Sequence, residues 1–119
     1  MLQLTPNSVI FVATIHVDFR KGIDGLVAIC KLRLSINPFN GSIFLFYNKK
    51  KTTIKILAYD GQGFWLCTKR LSKNRFIAKL KSLSPCYQIC YRVMHILTSN
   101  GDPASVKIAQ DWLPVIKPL

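Results

Sequence analysis

"SIFLFYNKKKTTIKILAYDGQGFWLCTKRL", residues 42–71, decides the fold. Three runs rich in β-branched and aromatic residues lie in it, at 42–48, 53–59 and 64–71. Between the first two sits a polar tip, Lys49-Lys50-Lys51. Between the second and third sits "DGQG", 60–63, a hairpin signal. "LSKNRF", 71–76, reads as another tight turn, and a short fourth strand over 75–79 is expected to pair back on the third. The expectation is an antiparallel meander.

Outward from this stretch, "NSVIFVAT", 7–14, has the composition of a buried strand. After it, Ile23, Leu26, Val27, Cys30 and Leu34 recur at helical spacing and predict one apolar helical stripe. Asp18 is the expected N-cap of that helix. Gly22 and Gly25 weaken its first turns and suggest close backbone approach. "NPFNG", 37–41, is a turn signal. "SPCYQICYRVMHILTSNG", 84–101, reads as a helix with Ser84 as cap, Pro85 at its first position and Gly101 as its stop. Asp102-Pro103 is expected to open a further short helix ending before Pro114. The fold class is α+β, a mainly antiparallel meander sheet with helices packed on one face. Residues 1–119 read as a single domain, with 102–119 as a peripheral tail.

Charge is the unusual feature. The chain carries 17 Lys and Arg against five acidic residues, all Asp, a formal net charge of +12. Such an excess predicts affinity for a polyanion, most simply nucleic acid, with strong salt dependence. Strand directions alternate in a meander, so the turns at 49–53 and 71–75 project from one end of the sheet. With strands about 4.8 Å apart, these turns are expected roughly 10 Å from each other. Lys49, Lys50, Lys51, Lys73 and Arg75 then cluster, with Lys69 and Arg70 behind them. Arg20 and Lys21 add a second basic element at a helix N-terminus, where backbone N–H groups favour anions. The competing reading of Arg20 is a first-turn ion pair with Asp24. Tyr47 and Trp65 are the candidates for stacking on bases, against core roles for Phe44, Phe46 and Phe64.

Catalysis finds little support in the residue types. A metal-dependent nuclease needs convergent carboxylates, and Asp18, Asp24 and Asp60 have simpler roles as cap, first-turn charge and turn former. Cys86 and Cys90 fall on the apolar stripe of the expected helix while His95 points away, so core thiols are preferred over a metal site. His16 beside Asp18 lacks a nucleophile. No metal or cofactor is expected. No stretch approaches the roughly 20 apolar residues of a membrane span. The run 9–15 has no basic residue before Arg20 and reads as a strand rather than a secretory signal. A cytoplasmic protein is expected.

Four segments together resemble a known family. "DFRKGIDGL" (18–26), "NPFNGSIFLFYNKKK" (37–51), "IKILAYDGQGFWLCTKRL" (54–71) and "NRF" (74–76) are similar to the TnpB-type accessory proteins of the insertion-sequence-sixty-six class of bacterial transposable elements. These are second-reading-frame products, unrelated to the RNA-guided nucleases sharing the TnpB name. The resemblance covers about residues 9–79. The chain departs from the family pattern at Phe19, at Ala58-Tyr59 and at Ile77-Ala78. The resemblance implies a non-catalytic accessory role in DNA transposition, beside a separate transposase. With the charge, it predicts DNA as partner. The alternatives are a module that docks on the transposase through the Tyr87/Tyr91 side, and a divalent-metal nuclease.

Overall fold

The computed structural model describes residues 5–15, 17–76 and 84–99, with the backbone pairing of 117–118. Its elements in chain order are β1 (Ile10–Ala13), α1 (Ile23–Leu32), a 3-10 turn (Pro38–Asn40), β2 (Ile43–Tyr47), β3 (Thr53–Tyr59), β4 (Phe64–Arg70), β5 (Cys86–Ile89), α2 (Tyr91–Thr98) and a two-residue β6 (Lys117–Pro118). They form one sheet of order β4-β3-β2-β1-β5-β6. β2, β3 and β4 run antiparallel in succession, Tyr47 opposite Ile54 and Thr53 opposite Arg70. The sheet as a whole is not a meander, because β1 lies parallel to β2, with Ile10 opposite Ile43. A parallel pair needs a crossover, and α1 supplies it.

β1 and β2 are buried along their whole length. A strand without polar alternation is covered on both faces, and the core divides accordingly. Phe11, Phe44, Phe46 and Leu57 pack with Leu26, Ile29 and Cys30 of α1. Ile10, Val12, Leu45 and Ile54 pack with Val93, Met94 and Leu97 of α2. The helices therefore lie on opposite faces of the sheet, not on one. The α+β class stands, in three layers. Phe44 and Phe46 are fully buried, each stabilising the fold by about 2 kcal/mol through its burial.

The expected helix over 84–101 is half strand. Cys86–Ile89 form β5, antiparallel to β1, and α2 starts only after Cys90. β1 has β2 on one side and must satisfy its other row of N–H and C=O groups. The N–H of Thr14 donates to Pro85 O (2.8 Å), and its hydroxyl donates to Ser84 O (2.6 Å). That long-range demand overrides the helical spacing of the cysteines.

α1 also starts later than the cap at Asp18 implied. Gly22 is the N-cap and carries no side-chain hydrogen bond. Residues 18–21 form a separate turn, closed by Lys21 N–H donating to Asp18 O (3.0 Å). A Cβ on Gly25 would lie 2.8 Å from Lys21 Cβ, so this turn passes directly over the start of α1. The expected strand over 75–79 does not form at Arg75 and Phe76; residues 77–79 lie outside the described residues, as do His16 and the expected helix after Asp102.

Candidate nucleic-acid interface

Strand direction sets which loops share an end. The carboxyl ends of β1 and β2, the turn leading into α1, the β2–β3 turn and the carboxyl end of β4 all collect at one end of the sheet. α2 starts at the other end and returns, so its last turn arrives there too.

The β2–β3 turn is organised by Asn48. Its Oδ1 accepts from the N–H of Thr52 (2.8 Å) and of Thr53 (3.2 Å), and its Nδ2 donates to Thr52 Oγ1 (2.9 Å). Lys51 N–H donates to Asn48 O (3.0 Å), which leaves Lys49 and Lys50 exposed at the tip. Lys51 sits in the left-handed region at φ +56°. Asn48 is the organising residue that reading the lysines alone overlooked. Its signal was available, since Asn at a turn start bonds the backbone ahead of it.

The second basic loop is tied to this turn. Leu71 N–H donates to Thr52 O (2.9 Å), and Phe76 N–H donates to Lys51 O (2.7 Å). The Phe76 ring is buried edge-on against Tyr47, centroids 5.6 Å apart. Lys73 and Arg75 are exposed on the loop so anchored, and Arg70 is exposed at the end of β4. Among the described residues, the two basic turns meet through Phe76 folding back across the β2–β3 turn. Among the described residues, none forms an ion pair with Lys49, Lys50, Arg70, Lys73 or Arg75.

The remaining basic candidates have structural partners. Lys69 Nζ donates to Thr98 O (2.7 Å) at the carboxyl end of α2, where a cation complements the exposed carbonyls. Arg20 pairs with Asp18, not Asp24, through Nε and Nη2 (2.8–3.2 Å). Those hydrogen bonds hold the Asp18 carboxyl down at about 2. Lys21 is exposed beside this pair. The turn is fastened to the sheet by Lys55, whose Nζ donates to Phe19 O (2.7 Å) and Lys21 O (3.1 Å). Lys55 is a basic residue the charge pattern did not single out.

Neither stacking candidate is at the surface of this end. Tyr47 is 3% exposed and its hydroxyl has no hydrogen-bond partner among the described residues; burial pushes that hydroxyl's pKa up. Trp65 is exposed, but it sits opposite Ala58 at the far end, its Nε1 donating to Asp60 Oδ2 (2.8 Å). There Phe39, Tyr59 and Phe64 form a triangle of ring contacts, with Lys31 over Phe39.

The carboxylates serve their own turns. Asp60 Oδ1 accepts from the N–H of Gln62 (2.8 Å) and of Gly63 (2.9 Å), and these bonds lower its pKa. Among the described residues, no three His, Cys, Asp or Glu side chains converge as a metal site. Cys86 lies in β5 and Cys90 caps α2, so they do not share a helical stripe. Tyr87, half of the proposed docking side, is buried in β5. No described helix is long and apolar enough to cross a membrane.

A family model described as IS66 Orf2-like protein matches residues 8–107. The chain belongs to the IS66 Orf2-like family. The match takes in β1 through α2, the whole basic end included, and continues past residue 79. Members of this family are accessory proteins associated with transposition. Two uncharacterized proteins of Sinorhizobium fredii (strain NBRC 101917 / NGR234) are similar. One, y4hO, is 36% identical over 77 residues, 65% of this chain and 67% of the relative. The other, y4jC, is 43% identical over 68 residues, 57% of this chain and 58% of the relative. The alignments thus span about two thirds or less of these curated relatives. No solved structure matches the chain.

Proposed function

We propose that this IS66 Orf2-like protein serves transposition by binding nucleic acid, gripping phosphates with the basic end of its sheet. One observation carries the reading: five exposed cations, Lys49, Lys50, Arg70, Lys73 and Arg75, share one end, where backbone hydrogen bonds hold the two loops together. Among the described residues none forms an ion pair with them, and the net charge is +12. Lys21 extends the surface on the α1 side. Arg20 reaches a phosphate only by leaving Asp18, an exchange that costs little because exposed ion pairs are weak. DNA is the expected nucleic acid, because the family acts in DNA transposition.

The buried Tyr47 and the distant Trp65 give this end no stacking platform among the described residues, so backbone phosphate is the ligand chemistry. The test is affinity for duplex DNA over a salt series. Five phosphate contacts predict a slope of log affinity on log salt of about −4.5. A slope near zero refutes the proposal. Docking on the element's transposase is the alternative. Its first assigned face loses Tyr87 to the core, and co-purification with the transposase at low salt is its test.

A further inference from the structure

β4 is the outermost strand of the sheet on its side, and no described strand pairs with its outer edge. The direction of its free backbone groups follows from two hydrogen bonds. Asp60 N–H donates to Gly63 O, and Leu71 N–H donates to Thr52 O. Both lie on the register that sets Ala58 opposite Trp65 and Ile56 opposite Cys67. Hydrogen-bonded pairs alternate in an antiparallel ladder. The odd-numbered residues from Gly63 to Leu71 therefore turn their N–H and C=O groups towards β3. Phe64, Leu66, Thr68 and Arg70 turn theirs outward.

That edge is complementary to itself. Two copies placed antiparallel, with Cys67 opposite Cys67, set Phe64 against Arg70 and Leu66 against Thr68. Each such pair exchanges two hydrogen bonds, and the register uses all four outward-facing residues of both copies. Shifting the axis to residue 66 or 68 leaves an outward residue of β4 unused on each chain. The side chains agree with the backbone. No like charges oppose each other: Arg70 falls opposite Phe64, a pairing that favours cation–π contact, and Lys69 stands opposite Trp65. Trp65 is 41% exposed in the single chain, and this pairing covers it. Basic residues often protect an edge strand from association. Here Lys69 is drawn back to Thr98, and Arg70 meets an aromatic ring rather than another charge.

We infer that this protein forms a two-fold dimer by pairing the β4 edges of two copies about an axis at Cys67. The inference does not rest on nucleic-acid binding, although Arg70 belongs to both surfaces. Cys67 reports it, because the non-hydrogen-bonded pair at the axis has Cα atoms about 4.5 Å apart, within disulfide range.

The experiment uses the full chain with Cys90→Ser, which leaves Cys67 as the only thiol at the described surface; Cys30 and Cys86 are buried. Copper–phenanthroline oxidation in air is expected to give a covalent dimer that Cys67→Ser abolishes. Sedimentation equilibrium is expected to show a reversible dimer that Cys67→Ser retains. Thr68→Pro deletes an outward N–H without touching the β3 ladder and is expected to give a monomer with unchanged circular dichroism. A wild-type chain that stays monomeric, a cross-link through another cysteine, or a folded Thr68→Pro protein that still dimerises overturns the inference. If Thr68→Pro does not fold, the site of the cross-link in the parent chain decides.

Discussion

Phe76→Ala separates the shape of the basic end from its charge. The substitution changes no charge, yet Phe76 is what folds the 71–76 loop back. Its ring is buried against Tyr47, and its N–H holds Lys51 O. Truncating a buried Phe costs about 3–5 kcal/mol. The lower end applies, because the loop is peripheral and can detach without the sheet opening. A loss of about 3 kcal/mol in urea unfolding corresponds to roughly 12 °C in Tm for a domain of this size. Amide exchange is expected to accelerate at Phe76 and Leu71, which pair with the lysine turn, and to stay slow in β1 and β2. The salt slope for DNA is expected to flatten by one to two units as Lys73 and Arg75 leave the register of Lys49 and Lys50, at about 0.9 per lost contact. A stability loss under about 1 kcal/mol, or loop exchange unchanged from wild type, refutes the claim that Phe76 anchors the basic loop.

Tyr47→Phe removes a buried hydroxyl that has no partner among the described residues. Unfolding free energy is expected to stay level or rise by about 1 kcal/mol, with DNA affinity unchanged; a clear loss of affinity returns Tyr47 to the interface. In acid, the depressed carboxyls of Asp18 and Asp60 set the sign. Each contributes stability above the usual carboxylate value of 3.8, and this is lost as pH falls through the folded value, about 2 for Asp18. Asp18→Asn combined with Asp60→Asn is expected to flatten the stability curve between those two values, read by urea unfolding; an unaltered acid limb counts against both turn assignments. Lys55→Met removes both hydrogen bonds that fasten the 18–21 turn and is expected to cost about 2 kcal/mol, with faster exchange at Lys21.

The hairpin region was legible because its determinants are local. β3 occupies 53–59 and β4 starts at Phe64, as the turn residues on either side dictate. β5 was hidden because Cys86, Ile89, Cys90, Val93 and Leu97 fit a helix, and only β1, some seventy residues earlier, calls for a strand there. The two-sided core was legible in principle. "IFVA" and "IFLFY" have no polar alternation, and such strands need cover on both faces.

At the site, the shared end of the two basic turns followed from strand direction, although Arg75 and Phe76, expected to open a fourth strand, lie outside any strand. By the same rule Trp65 lies away from that end, because it follows the 60–63 turn closely. The engagements of Lys69 with Thr98 and of Arg20 with Asp18 depend on where α2 ends and where α1 begins. Those boundaries were displaced by the β1–β5 pairing and by the separate 18–21 turn.

The most direct test of the central claim compares two charge-matched double variants on duplex DNA over one salt series. Lys49→Ala/Lys50→Ala empties the tip of the basic end. Lys31→Ala/Arg33→Ala removes the same charge at the carboxyl end of α1, where Lys31 lies over Phe39. The account predicts a slope shallower by about two units for the first pair and unchanged for the second. Equal slopes for the two variants contradict it, and would mean that net charge, rather than this end of the sheet, holds the nucleic acid.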